Sequence, residues 1–205
     1  MTRLWLSPAP LILASGSVTR RDMLVAAGLP VETVKPGIDE RAVEKPLAAR
    51  GVTADRIAAA LAEAKALSVS QERTGRIVLA ADQTLTCEGV AFHKPEDAAA
   101  GSSQIASLAG RRHELHSAFA LARDGEVLAR GCETARLTMR PLDSAFIARY
   151  VEAAGPAILS SVGGYQLEGL GAQLFERIEG DHFTILGLPL LPVLSALRDL
   201  GHLAR

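Results

Sequence analysis

Four apolar residues, Leu11-Ile12-Leu13-Ala14, run directly into the polar turn Ser15-Gly16-Ser17, a pattern that predicts a short buried strand. The residues after Arg20, closed by Gly28, predict a short helix, so a strand turns into a helix N-terminus. Beyond Pro30, Val31 to Val34 reads as a second strand, and the polar run Ile38-Asp39-Glu40-Arg41 reads as a loop. Thr53 is the expected N-cap of a helix reaching about Val69. Ile57, Leu61, Ala64 and Leu67 share one face of it, and Lys65 falls near its polar edge. Ile77-Val78-Leu79-Ala80-Ala81 is a continuous apolar run of the kind buried on both faces of a sheet, with Asp82 where the strand is expected to end.

The middle of the chain changes character. Thr84 to Phe92, centred on Glu88-Gly89, predicts a hairpin, and Pro95 precedes a helix over roughly Glu96 to Leu108, weakened by Gly101. Leu115 to Ala122 and Val127 to Leu137 flank Asp124-Gly125, a dipeptide that favours the primed hairpin turns. Ser144 to Ala154 predicts a helix, Leu174-Phe175-Glu176-Arg177-Ile178 runs into a Glu-Gly-Asp turn, and Leu188 to Leu200 predicts a last helix that takes Pro189 in its first turn and Pro192 less comfortably. Glycines 163, 164, 169 and 171 crowd the segment before it, a density that signals backbone packed close to a ligand or another strand. Strands alternating with helices, followed by hairpins, predict an α/β fold: a mixed twisted central sheet flanked by helices, with a substrate cleft at one edge. The 205 residues suffice for one substantial core, so a single domain over 1–205 is expected.

Composition narrows the class of partner. A formal net charge of −1 and 4% aromatic residues provide neither a basic footprint nor stacking platforms, which argues against a nucleic-acid polymer. Cys87 and Cys132 lack C-x-x-C spacing and read as free thiols of a reducing compartment. Ser7, Pro8 and Pro10 interrupt the early Leu-Trp-Leu before an export signal could form, and no apolar stretch approaches a membrane span. A cytoplasmic protein without a membrane partner is the expectation.

Candidate chemistry centres on the first strand-to-helix turn. Backbone donors and the positive end of the helix dipole converge there, Ser15 and Ser17 add hydroxyls, and Arg20 or Arg21 adds a guanidinium fork, a set that suits a phosphate chain. The alternative is an ordinary capped helix with a solvated arginine pair. Asp82, past a buried strand, can act as general base or metal ligand, or simply cap a turn. Lys65 and Lys94 are candidate phosphate partners, and Asp39 and Glu40 are hard oxygen ligands of the kind Mg²⁺ accepts, unless they line a solvated loop. His113 and His116, three apart in an expected strand, face opposite sides and do not suit a shared metal. No G-x-S-x-G elbow and no Walker loop occurs.

These residues match a known pattern. Leu13-Ala14-Ser15-Gly16-Ser17 with Arg20, Ile38-Asp39-Glu40, Ala64-Lys65-Ala66, Ala81-Asp82-Gln83, Lys94-Pro95, Leu108-Ala109-Gly110, Gly169-Leu170-Gly171, and Glu179-Gly180-Asp181 through Gly187-Leu188-Pro189 follow one another in the order of a single family. Over nearly its whole length the chain resembles the Maf family of nucleoside triphosphate pyrophosphatases, also called septum formation inhibitors. The resemblance implies a cytoplasmic, often homodimeric, Mg²⁺-dependent enzyme that cleaves a nucleoside triphosphate between its α and β phosphates. It implies Asp82 as the group that activates water, Ser15, Arg20, Lys65 and Lys94 as triphosphate ligands, and Glu40 with Asp82 at the metal.

Substrate choice is implied by the departures. The family's usual Pro-Arg pair is Val18-Thr19 here, and its Asp-Lys-Ala-Gly segment is Ser160-Ser161-Val162-Gly163. Gln83 and Glu168 resemble the branch acting on 7-methyl-GTP rather than the branch acting on dTTP and UTP, although that first branch usually has Trp where Thr19 stands. A carboxylate at Glu168 accepts hydrogen bonds from the guanine N1–H and amino edge and favours a positively charged base. A nucleotide-binding regulatory protein with little turnover is the rival from another class, and a phosphatase releasing orthophosphate a third.

Overall fold

A computed structural model describes residues 4–205. Its strands are β1 (Leu11–Ala14), β2 (Val31–Val34), β3 (Val78–Cys87), β4 (Val90–Phe92), β5 (Arg112–Arg123), β6 (Glu126–Met139) and β7 (Phe175–Glu179). Its helices are α1 (Val18–Ala26), α2 (Glu40–Ala49), α3 (Ala54–Glu72), α4 (Ala98–Leu108), α5 (Ser144–Ala154), α6 (His182–Ile185) and α7 (Leu190–Asp199). The strands pair in the order β2-β1-β3-β5-β6-β7, with β4 on β3. β1 is parallel to β2 and β3, whereas β4 is antiparallel to β3 and β7 to β6, so the sheet is mixed as predicted.

The chain divides into two compact units. One holds the chain up to Gln83 together with Ser117–Glu133 and Gly187–Arg205; the other holds Thr84–His116 and Thr134–Leu186. In the first, Ala58, Ala62 and Ala66 of α3 pack on Ile12, Ala14, Val78, Ala80, Ala118, Ala120 and Ala122 of the strands. Side chains this small let the helix backbone approach the sheet closely, so a long side chain on α3 can reach strand residues beside it. In the second, larger groups fill the core, among them Leu85, Ile105, Leu108, Leu137, Met139, Ile147 and Tyr165. Gly101 of α4 belongs there because a Cβ would come within 2.7 Å of Ile158.

Both hairpin turns are where the sequence predicts them. Glu88-Gly89 and Asp124-Gly125 take positive φ at both positions (50° and 79°; 52° and 80°), the combination of a type I′ turn. Asp124 also accepts from the Gly75 N–H at 2.6 Å.

Three local expectations are corrected. The predicted loop at Ile38–Arg41 instead starts a helix: Asp39 is the N-cap of α2, its carboxylate accepting from the N–H groups of Arg41 and Ala42. No residue of α2 is buried and Pro46 lies inside it, so the chain did not present an uninterrupted helical sequence there. β3 does not stop at Asp82 but continues through it to Cys87, merging the predicted strand with the first arm of the hairpin. Lys65 is not near the polar edge of α3. It sits in the buried stripe Ile57, Leu61, Lys65, Val69, and only 6% of its surface is exposed.

Candidate active site

Asp82 and Gln83 are adjacent on β3 and therefore face opposite ways. Asp82 shares its face with Val78 and Ala80, the face packed by the alanines of α3. That parity places its carboxylate against the helix that carries Lys65, and the Lys65 ammonium donates to Asp82 Oδ1 at 2.6 Å. The same ammonium reaches Glu40 Oε1 at 2.9 Å. Asp82 is 7% exposed, while the Glu40 side chain, in the first turn of α2, is 53% exposed. Burial pushes the Asp82 carboxyl above the ordinary carboxylate value; Lys65 and Arg20 pull it back, and Glu40 adds to the rise.

The strand-to-helix turn is built around Arg20. Ser17 is the N-cap of α1, its hydroxyl accepting from the Arg20 N–H, and the Ser15 hydroxyl accepts from the Ser17 N–H. β1 pairs with β3 only as far as Leu13 opposite Leu79. Beyond that point the β3 carbonyls on this side need other donors. The Arg20 side chain supplies one: Nη1 donates to Ala81 O at 2.8 Å and to Ser15 Oγ at 3.3 Å, while Nε donates to Gly187 O at 2.8 Å. Burial lowers the Arg20 guanidinium from its usual value against the opposing pull of Asp82 and Glu40, and at its high starting point it stays charged. One unit thus brings Ser15, Arg20, Glu40, Lys65 and Asp82 together, a linked set of two cations, two carboxylates and a hydroxyl at the end of a parallel strand. Such an end is where open α/β sheets place ligands.

The other sequence candidates stand differently. Thr19 is half-buried in the first turn of α1. Gln83, on the opposite face of β3 from Asp82, donates through Nε2 to the buried Ser117 hydroxyl at 3.0 Å. Lys94 is exposed between β4 and α4, next to the buried Pro95, and Glu168 is exposed in the turn before Gly169; both belong to the second unit. Asp39 is spent on capping α2. The role of Gly187 had no signal in its residue type alone, and Ala81 contributes through its carbonyl, which no side-chain pattern reveals.

His113 and His116 have separate partners. His116 contacts Thr134 Oγ1 at 2.9 Å and Thr86 Oγ1 at 3.3 Å, and His113 Nε2 meets the Tyr165 hydroxyl at 2.7 Å with Tyr165 and Phe175 around the ring. Burial holds the His113 imidazole down at about 4 instead of 6.5. The unfolded chain therefore binds a proton that the folded chain refuses, so this group costs stability as pH falls from 6.5 towards 4 and nothing above. His113→Gln should flatten that dependence: the loss of unfolding free energy between pH 7 and pH 4.5 should shrink by roughly 2 kcal/mol, read from urea midpoints. Equal slopes in both proteins would remove His113 as the cause.

Two carboxylates reaching one ammonium suit a magnesium ion, which takes one or two carboxylates and completes its shell with waters and substrate phosphates. Among the described residues no group of three or more His, Cys, Asp or Glu side chains is arranged to hold a metal unaided. The pair Asp82 and Glu40 fits that substrate-completed kind of site and not a closed protein cage. None of the helices described is long and apolar enough to cross a membrane.

The family model described as Maf-like protein matches residues 10–200. A protein of Mesorhizobium japonicum named 7-methyl-GTP pyrophosphatase is 53% identical over 93% of this chain and 96% of its own length. A Rhodopseudomonas palustris protein named nucleoside triphosphate pyrophosphatase is also 53% identical, over 96% of each chain. A Brucella abortus 7-methyl-GTP pyrophosphatase is 50% identical over 92% of this chain and 94% of that one.

Proposed function

The chain belongs to the Maf family, and from that membership we propose that it is a hydrolase of nucleoside triphosphates, releasing the monophosphate and pyrophosphate. The observation that carries this reading is the buried Asp82 carboxylate, paired with Lys65 at 2.6 Å beside the Arg20-braced turn after β1. Deprotonated Asp82 takes a proton from the attacking water as it approaches the α phosphorus; a base lifted above the ordinary carboxylate range by burial does this more effectively near neutral pH. Arg20, with Ser15 fixing its fork, holds phosphate oxygens and meets charge developing on the leaving pyrophosphate. Lys65 keeps the two carboxylates side by side despite their repulsion and turns a remaining ammonium N–H to the phosphates.

Asp82 and Glu40 are the residues that would hold Mg²⁺. When bound, that ion supplies charge neutralisation at the phosphates. Lys94 is proposed as a further triphosphate ligand. Glu168, Gln83 and Thr19 are proposed to select the base, with 7-methyl-GTP as the preferred substrate because a carboxylate suits the cationic methylguanine edge. The same reading makes the enzyme a cytoplasmic homodimer that clears the nucleotide pool, and the mass in solution by light scattering tests the dimer.

The test is pyrophosphate release with Mg²⁺ from a panel of 7-methyl-GTP, GTP, dTTP and UTP. Turnover greatest on 7-methyl-GTP supports the full reading. Preference for dTTP or UTP keeps the enzyme class and overturns the base assignment. Orthophosphate as the first product, or nucleotide bound without turnover, overturns the pyrophosphatase reading itself.

A further inference from the structure

We propose that Gly187 is a positioning residue for the phosphate-binding guanidinium of Arg20, an inference that rests on the pyrophosphatase reading above. Gly187 stands just before α7 and far from Arg20 in sequence, yet its carbonyl accepts the Arg20 Nε–H at 2.8 Å. With the Ala81 carbonyl and the Ser15 hydroxyl on Nη1, three acceptors from three separate segments fix the plane of the fork. A guanidinium held this way loses little rotamer freedom when it meets a phosphate, which is how a preorganised clamp differs from a surface arginine.

Two features make glycine necessary at this point. Its φ is +92°, in the region that L side chains rarely adopt. A Cβ there would lie 3.3 Å from Arg20 Nη2, 3.5 Å from Arg20 Nε and 3.5 Å from Gln83 Oε1. A Cβ would therefore crowd the Arg20 Nη2 edge, which would have to give by a few tenths of an ångström, while its contact with Gln83 would be an ordinary one. Relief by backbone rotation would swing the carbonyl away from Nε. Gly187 thus sets the orientation of Arg20 through its carbonyl and through the absence of a side chain at the guanidinium edge.

The experiment is a double-mutant cycle on Gly187→Ala and Arg20→Lys, which keeps the charge but loses the fork, with Ser15→Ala as a milder perturbation of the same guanidinium. Steady-state pyrophosphate release and calorimetric titration with inorganic pyrophosphate are both read, and thermal unfolding confirms that each variant is folded. Gly187→Ala should lower kcat/KM about tenfold and weaken pyrophosphate binding in step, as expected for a charged-group hydrogen bond lost or misaimed. In the Arg20→Lys background the same substitution should cost less than about twofold, because its effect is transmitted through the fork. A tenfold loss in both backgrounds overturns the proposal, since a general packing defect multiplies independently of Arg20; so does full activity in Gly187→Ala. If Gly187→Ala does not fold, Ser15→Ala takes its place in the cycle, and independent effects of Ser15→Ala and Arg20→Lys overturn the braced fork. Absence of pyrophosphate release from the wild type would sink the activity, while the calorimetric cycle would still decide the role of Gly187.

Discussion

Asp82→Asn should reduce pyrophosphate release by about 10²–10⁴-fold, the range expected when a positioned general base is removed, while nucleotide still binds. Asparagine keeps the size of aspartate and an oxygen for Lys65, so the local packing survives, and Glu40 still pairs with the ammonium. What is lost is a group that can accept the proton of water. The wild type should also lose kcat/KM as pH falls through the elevated Asp82 value, because burial, the largest influence on it, favours the protonated carboxyl. Side-by-side turnover and nucleotide titration of the two proteins check this. Undiminished turnover in Asp82→Asn would falsify the assignment of the base.

Lys65→Met should be the most destabilising single change in the site. Methionine matches the length of the lysine stem, so the packing between Leu61 and Val69 is largely kept and the loss is electrostatic. It leaves Asp82, 7% exposed, without its 2.6 Å partner and with Glu40 as its repulsive neighbour. Breaking a buried pair in this way costs about 3–5 kcal/mol; here the exposure of Glu40 and the ability of Asp82 to take up a proton favour the lower end.

The direction with pH follows from the same residue. Without Lys65 the folded-state value of Asp82 rises further above 3.8, so proton uptake stabilises the folded variant most below 3.8 and that contribution is lost as pH rises through the raised value. The stability deficit of Lys65→Met should therefore shrink as pH falls. The double variant Lys65→Met with Asp82→Asn should recover most of the lost stability, because no buried charge is left unpaired. Urea unfolding of the four proteins measures this; a deficit that persists in the double variant would point to packing instead.

The small-residue core links these two results to the fold. Alanines at 58, 62 and 66 bring α3 close enough to β3 for the Lys65 ammonium to touch Asp82. A larger residue at these positions would push the helix outward and lengthen the pair before it disturbed the strand, so alanine substitutions in this core are coupled to the chemistry.

Much of this was legible in the chain. Apolar runs located β1 and the start of β3, the break at Pro30 located β2, Asp-Gly and Glu-Gly located the two hairpin turns, and the ordered motifs around Ser15, Arg20, Lys65 and Asp82 identified the family. These features are local, because strand burial, turn geometry and side-chain type depend on a few consecutive residues. Tertiary structure decided the rest. Whether Lys65 faces solvent or the sheet depends on which stripe of α3 the strands cover, and whether Asp82 ends a strand or lies within one depends on what pairs beside it. Arg20 finds Ala81 and Gly187 through their carbonyls, groups that every residue possesses and that only the path of the backbone brings within 2.8 Å.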